Sequence, residues 1–482
     1  MLCFSTCKRI DMKKKFCVQI KDKRFLVEEG TVLSTLLDID QPCGGRGTCG
    51  KCKVLVNGEP ELACRYRVFS DVTVEAVDSG EISSEIGADE SGRLTENVCL
   101  ALDVGTTTLA LALLSRDDGG IIKALTRANP QRRFGADVIT RIDYCTKNSI
   151  DDLHTVLIDE INDMIKTVGC PEGVDLYVSA NVTMMHTFFG VDCSSIGFAP
   201  YTPAFLEGRR ADGRSLGLRG VGQVCSFPAV SSFVGADIVM GLAYVGAPTD
   251  GKYDLLIDLG TNAEIVLFSA TSAVATAAAA GPCFEGANIS CGMSATPGAV
   301  YAFRIKDGVP SYRTVADAPA VGVCGTGLID LIAELLKNGF IDETGYMEDD
   351  YEIAPGVILS AEDVRQYQLA KSAVSSAIVA LMRAEGVSFE DVGRMYISGG
   401  FSSVINLKSA AYSGLLPKEL AGKALAMKNT SLLGAAKHAA GATDSDPDAI
   451  VRRTRYVDLS SDPFFSGLFI ENMMFEAPSD EI

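Results

Sequence analysis

The chain has 482 residues, an apolar fraction of 47% and a formal net charge of −19. That is length enough for roughly two to four domains, too apolar for a disordered polymer and too acidic, with no basic stripe, for a nucleic-acid binder. No secretory leader or membrane span is read: the residues before Lys13 lack a sustained apolar stretch, and the run 100–114 is broken by Asp103, Gly105 and three threonines.

Residues 1–11 read as a tail or a misassigned start ahead of the first strand. KKFCVQIKDKRFLVEEG alternates apolar and polar residues across two segments, which predicts a β-hairpin turning at Lys21–Lys23. TVLSTLLDID predicts a short helix. QPCGGRGTCGKCKVLVNGEPELACRYRV then sets Cys43, Cys49, Cys52 and Cys64 in the pattern C-x5-C-x2-C-x11-C. Four thiolates can hold a [2Fe–2S] cluster. Gly44, Gly45, Gly47 and Gly50 allow a tight loop whose N–H groups point at cluster sulfurs. A structural zinc site would accept the same ligands, but such sites usually show two separated CxxC knuckles. The fifteen cysteines suit metal ligands and buried thiols in a reducing cytoplasm better than a disulfide framework. Cys99, Cys145, Cys170, Cys193, Cys225, Cys283, Cys291 and Cys324 are scattered in largely apolar surroundings and are expected to be buried thiols. The expected domain is 12–78, followed by a polar Ser/Gly/Glu-rich linker over 79–97. The first 80 residues are almost charge-balanced, so the excess acid lies beyond them.

After the linker, NVCLALDVGTTTLALALLS is matched further on by YDLLIDLGTNAEIVLFS. Each reads as a buried strand, an Asp-x-Gly-Thr-Thr/Asn turn and a second strand, an internal repeat heading two halves, 98–245 and 246–482. A tight glycine turn brings backbone N–H groups and threonine hydroxyls to phosphate oxygens, and an Asp at the strand end can hold Mg²⁺ or its waters. Asp103 and Asp258 are therefore the catalytic, metal- and water-positioning candidates. Gly105, Thr106 and Thr107 form one phosphate turn, and Gly260, Thr261 and Asn262 the other. VGRMYISGGFSSV predicts a strand ending at Gly399-Gly400-Phe401, a third candidate cofactor-binding segment. A catalytic base is left open among Asp237, Glu264 and Glu285. His186 is expected to be a packed or capping residue. Asn129, Gln131 and Arg141 are candidates to face a partner. The tail is expected to pack as a terminal strand or helix on the second half.

This trio of motifs resembles the superfamily of acetate kinase, sugar kinases, heat-shock ATPases and actin, across roughly residues 98–440. It implies a duplicated α/β actin-like (ribonuclease H-like) ATPase after an α+β, β-grasp ferredoxin domain. Further stretches, among them NPQRRFGADVITRI, NVTMMHTFFG, FVGADIVMGL, AGPCFEGANISCGMSATPGAV, CGTGLIDLIAELL and MKNTSLLGAA, resemble the reductive activators of corrinoid proteins. That resemblance implies ATP-dependent reduction of an inactive Co(II) corrinoid, bound to a methyltransferase corrinoid protein, to Co(I). It further implies a [2Fe–2S] cluster, ATP and Mg²⁺ as cofactors, a low-potential electron donor, a cytoplasmic location and twofold association. The chain departs from the family in two ways: Ala263 stands where glycine is usual, and residues 78–96 alone stand where relatives often carry a linker domain; its cysteine loop resembles plant-type ferredoxins, whose first spacing is x4 where this chain has x5. The competing reading is an actin-like small-molecule kinase or ATPase regulated by a fused redox-sensing iron–sulfur domain. An activator of a 2-hydroxyacyl-CoA dehydratase is disfavoured by the four cysteines, because that type lacks a ferredoxin domain.

Overall fold

The computed structural model describes residues 14–21, 23–37, 39, 45, 47, 52–76, 95–400 and 402–476. The chain divides into two compact units, residues 1–79 with 130–136 and the remainder.

In the first unit β1 (Lys15–Ile20), β2 (Lys23–Glu28), β3 (Lys53–Val56), β4 (Glu59–Leu62) and β5 (Val72–Ala76) form one mixed sheet in the order β2-β1-β5-β3-β4. The β1–β2 hairpin turns through Lys21 at φ 51°. Val18, Leu33, Val54, Val68 and Val74 form its own core. The expected helix is a single 3-10 turn, Leu33–Leu36. Its backbone N–H groups bond the segment after β4, Leu33 to Tyr66 O at 2.9 Å and Ser34 to Ala63 O at 3.0 Å.

The second unit opens with an antiparallel meander, β6 (Val98–Val104), β7 (Thr108–Ser115) and β8 (Ile121–Ala128). Then come α1 (Val138–Lys147), α2 (Ile150–Val168), β9 (Val174–Ala180), α3 (Val182–Phe189), β10 (Arg210–Asp212), β11 (Val221–Ser226) and α4 (Ala236–Val245). α2 starts at the Ser149 cap, buries Leu153, Leu157, Ile158, Ile161 and Ile165 along one stripe, and stops where Gly169 turns left-handed at φ 76°. The second half repeats the pattern with β12 (Tyr253–Leu259), β13 (Ala263–Phe268) and β14 (Ala273–Ala278). A small sheet of β15 (Ala299–Lys306), β16 (Val309–Thr314) and β17 (Gly322–Val323) follows, then α5 (Gly325–Lys337) and the hairpin β18 (Tyr351–Ala354)–β19 (Val357–Leu359). α6 (Ala361–Ala384), β20 (Val392–Ser398), α7 (Leu407–Tyr412), β21 (Ala424–Ala426), α8 (Thr430–Ala439), α9 (Pro447–Arg453), β22 (Thr454–Tyr456) and α10 (Pro463–Glu471) complete the chain.

The two large sheets run β10-β11-β9-β6-β7-β8 and β21-β20-β12-β13-β14-β22. In each, a meander is extended by two strands parallel to its first, β9 and β11 beside β6, β20 and β21 beside β12. The duplication expected from the two hairpins is thus present in the topology. β6 is buried along nearly its whole length, as suits a central strand covered on both faces. β12 and β13 divide their side chains between two cores with the period of two. Leu255, Ile257, Leu259, Ile265 and Leu267 face the core that holds α5 and α6. Leu256, Val266 and Phe268 face the core shared with the first half. By the same alternation Asp258 and Glu264, directly paired across β12 and β13, fall on the side of the first half. Each fully buried leucine here contributes about 2 kcal/mol through burial. The tail packs as expected: β22 adds parallel to β14, and α10 lies on α6.

Candidate active site

Both phosphate-type turns are tight. The Gly105 N–H bonds Thr108 O and the Gly260 N–H bonds Asn262 O, each at 3.0 Å. A Cβ at Gly105 would lie 2.6 Å from Thr108 O, so the residue type is imposed by the turn itself. The two turns meet at one carboxylate: the hydroxyls of Thr107 and Thr261 both donate to Glu285 Oε2 at 2.8 Å. Thr106 is held from the first half, its carbonyl by Arg141 Nη2 at 2.6 Å and its hydroxyl by Asn181 Nδ2 at 3.0 Å. Gly399, at φ 124° against Leu259 O, lets β20 end beside the β12 turn, with Gly400 next to it. Phe401, Cys43 and Cys49 lie outside the described residues.

Asp103 accepts from Asn429 Nδ2 and Ser431 Oγ, both at 2.7 Å, and Ser431 also reaches Ser179 at 2.9 Å. Asn429 uses its other end to cap α8, accepting from the Leu432 N–H at 2.8 Å. Asn181 does the same for α3 through the Met184 N–H at 2.9 Å. Two capping asparagines therefore tie helix starts to the first turn. The pattern Asn-x-Ser/Thr ahead of an apolar run was a signal for both, but it marks ordinary helix caps equally well.

Asp103, Asp237, Asp258, Glu264 and Glu285 are half-buried around this cleft. Desolvation pushes Asp258 up to about 7, with the Asp103 charge adding and the Ser398 hydroxyl opposing. Desolvation, then Asp258 and Asp103, pushes Asp237 up to about 8. Glu264 is raised well above the usual range by desolvation, then by Asp237 and Asp258. Glu285 is raised by desolvation and held back by the two threonine hydroxyls and Arg141. Arg141 is fully buried and lowered to about 9 by desolvation. So much acid in one place suits a divalent cation, since Mg²⁺ takes one or two carboxylates plus phosphates and waters. Among the described residues no group of three or more Asp, Glu, His or Cys side chains is spaced to enclose a metal by itself.

In the first unit Cys52 and Cys64 are buried with their Sγ atoms 3.2 Å apart. Gly45 and Gly47, ahead of Cys52 in the sequence, have φ of 75° and 71°, a conformation that glycine adopts at little cost. This donor pair and loop suit a thiolate-bound cluster.

Several expectations need correction. Asn129, Gln131 and Arg141 are buried, not turned outward to a partner. Asn129 instead donates to Gly105 O at 2.8 Å and supports the turn. Cys170, Cys225 and Cys291 are half-buried rather than buried like Cys99, Cys145, Cys193, Cys283 and Cys324. His186, by contrast, is packed as expected, its Nε2 accepting from the Ala204 N–H at 3.0 Å and its ring stacked on Phe205.

A family profile described as the C-terminal domain of RACo, the ASKHA domain, matches residues 252–481, and one described as the RACo middle region matches 98–248. The chain belongs to the reductive activators of corrinoid proteins. Within that family it is 29% identical to the corrinoid activation enzyme RamQ of Eubacterium limosum, over 78% of this chain and 70% of that one. It is 25% identical to a [Co(II) methylated amine-specific corrinoid protein] reductase of Methanosarcina barkeri, over 69% and 68%. A solved reductive activator for corrinoid, iron–sulfur protein superposes with a TM-score of 0.71 at 25% identity, covering 95% of this chain and 98% of that one. Residues 252–481 are thus an actin-like ASKHA domain. Among the described residues no helix is long and apolar enough to cross a membrane.

Proposed function

We propose that the chain is an ATP-dependent reductive activator that returns the cobalt of a partner corrinoid protein from Co(II) to Co(I) by transfer of one electron. The observation that carries this reading is the cleft in which Thr107 and Thr261 converge on Glu285, in a chain aligned along 95% of its length with a reductive activator. In this reading the turn N–H groups and the Thr107 and Thr261 hydroxyls receive the phosphates, which compete with Glu285 for those donors. Asp103 and Asp258 would hold Mg²⁺, whose charge would offset the repulsion among the carboxylates. Ser398–Gly400 border the adenosine. Glu285, between both phosphate turns, is the best placed of the three candidate bases, and Asp237 and Glu264 set the charge around it. The four cysteines Cys43, Cys49, Cys52 and Cys64 would hold a [2Fe–2S] cluster, which would supply one-electron chemistry at about −400 mV in a plant-type setting, with a low-potential donor as the source of the electron.

The Co(II)/Co(I) couple of a protein-bound corrinoid is expected to lie lower, so ATP must tilt the transfer. A nucleotide state that favours one partner conformation by about 10⁴-fold supplies roughly 5.5 kcal/mol, on the order of 240 mV for one electron. Only a difference in binding between two states can do this. Anaerobic absorption spectroscopy tests the function directly, with the Co(II) corrinoid protein and reductant present and ATP added last. The Co(I) band is expected to grow in after ATP and not before. An intact iron–sulfur spectrum with no cobalt reduction would reject the reading.

A further inference from the structure

α6 is unusual in burying a polar stripe: Gln368, Lys371, Ser372 and Ser376, spaced as one helix face, are all inaccessible. The C-terminal segment covers this stripe and bonds each of its four side chains. Gln368 Nε2 donates to Met473 O at 2.7 Å, and Lys371 Nζ to Met474 O at 2.5 Å. Ser372 Oγ donates to Phe469 O, and Asn472 Nδ2 to Ser376 Oγ at 2.9 Å. The strap carries Phe475, which is 3% exposed. The Phe475 N–H bonds Glu343 O at 2.8 Å, and its ring lies 4.8 Å from Lys371 Nζ. Glu476 then pairs with Lys418 at 2.7 Å.

Phe475 is also the outer member of an aromatic row that leads inward. Its ring stacks on Tyr367 at 6.4 Å, and Tyr367 meets Phe284 edge-on at 5.8 Å. Tyr367 is fully buried and its hydroxyl is fixed by Ser413 at 2.5 Å, so it cannot give way easily. Phe284 is bonded in sequence to Glu285, the carboxylate on which both phosphate turns converge. A Cβ at Gly325 would overlap the Phe284 carbonyl, so this segment is closely confined on its other side as well.

We propose that Phe475 is a positioning residue: the C-terminal strap, acting through Tyr367 and Phe284, sets where Glu285 stands between the two phosphate turns. The inference rests on the nucleotide reading of that cleft. Interiors are close-packed, so a loss of volume at Phe475 is passed along the row rather than absorbed. Coupling is reciprocal, so a strap that supports nucleotide binding must itself be tightened by nucleotide.

Two measurements on the full-length protein test this. In the wild type, hydrogen exchange at the Met474 and Phe475 amides is followed with and without a fluorescent ATP analogue and Mg²⁺, and the analogue is expected to slow it. In parallel, Phe475→Ala is expected to weaken analogue binding by about tenfold, within the usual range of site-to-site coupling, at a temperature well below its own melting point. Phe475→Tyr, which keeps the ring, is expected to restore it. A lowered Tm with unchanged analogue affinity and unchanged exchange would overturn the proposal and leave the strap a packing element. Protection in the wild type without an affinity loss in Phe475→Ala would overturn the assignment to this residue. A wild-type protein that binds no nucleotide would instead reject the reading of the cleft.

Discussion

Asp237 stands in the first turn of α4, where its carboxylate accepts the Ile238 N–H at 2.9 Å and feels the charges of Asp258 and Asp103. Its pKa rises from 3.8 to about 8 on folding, with desolvation the largest cause. Between those values the folded state binds the proton that the unfolded state releases, so this group's contribution to stability falls as pH rises and is flat beyond. Asp237→Asn keeps the acceptor for Ile238 and removes the titration. In melts without Mg²⁺ or nucleotide, the variant is expected to gain Tm relative to wild type as pH goes from about 5 to about 8. A difference between the two proteins that is independent of pH would show that the proton is not held there. Adding Mg²⁺ with nucleotide should reduce the difference, since a cation in the cleft stabilises the charged form of the wild-type carboxylate.

At the scale of elements, α4 and α8 pack together by backbone approach. A Cβ at Gly434 of α8 would overlap the Met240 carbonyl of α4, and one at Gly241 would stand 3.0 Å from Leu256 Cδ2. Gly434→Ala must therefore push apart the two helices whose starts carry Asp237 and the Asn429–Asp103 bond. The expected loss is roughly 1–3 kcal/mol by chemical denaturation, as for other insertions into a packed contact, and an unchanged midpoint would contradict the close approach. What could be read beforehand follows the same physics. Long apolar runs closed by Asp-x-Gly-Thr announce central strands and their turns, so β6, β7, β12 and β13 were legible. Asn129 and Arg141 were misread because a polar residue in sequence looks solvent-facing, whereas here each is buried against a backbone carbonyl of the first turn. The stripe on α6 was hidden for the same reason: Gln368 and Lys371 suggest an exposed face until a distant tail is seen to supply their acceptors. Glu285 could be named as a candidate base, but its meeting with Thr107 and Thr261 depends on how the two halves fold onto one another.

At the scale of the whole molecule, the chain carries separately cored units. The residues packed around Val18, Leu33 and Val54 belong to the first unit, while the two larger cores are built from the second. Among the described residues neither unit's core includes apolar residues of the other, so losing the thiolate site is expected to leave the nucleotide cleft standing. Cys64→Ser, which removes one donor of the pair 3.2 Å apart, is expected to abolish the visible iron–sulfur absorption and cobalt reduction together. Affinity for the fluorescent ATP analogue should stay within about twofold of wild type, as for sites that share no partners. Retained affinity with lost reduction would place the electron in the first unit and the nucleotide in the second, the division of labour that an ATP-driven activator requires. Loss of nucleotide binding in the same variant would mean that cluster loading organises the cleft, and a model of two independently folded units would then fail.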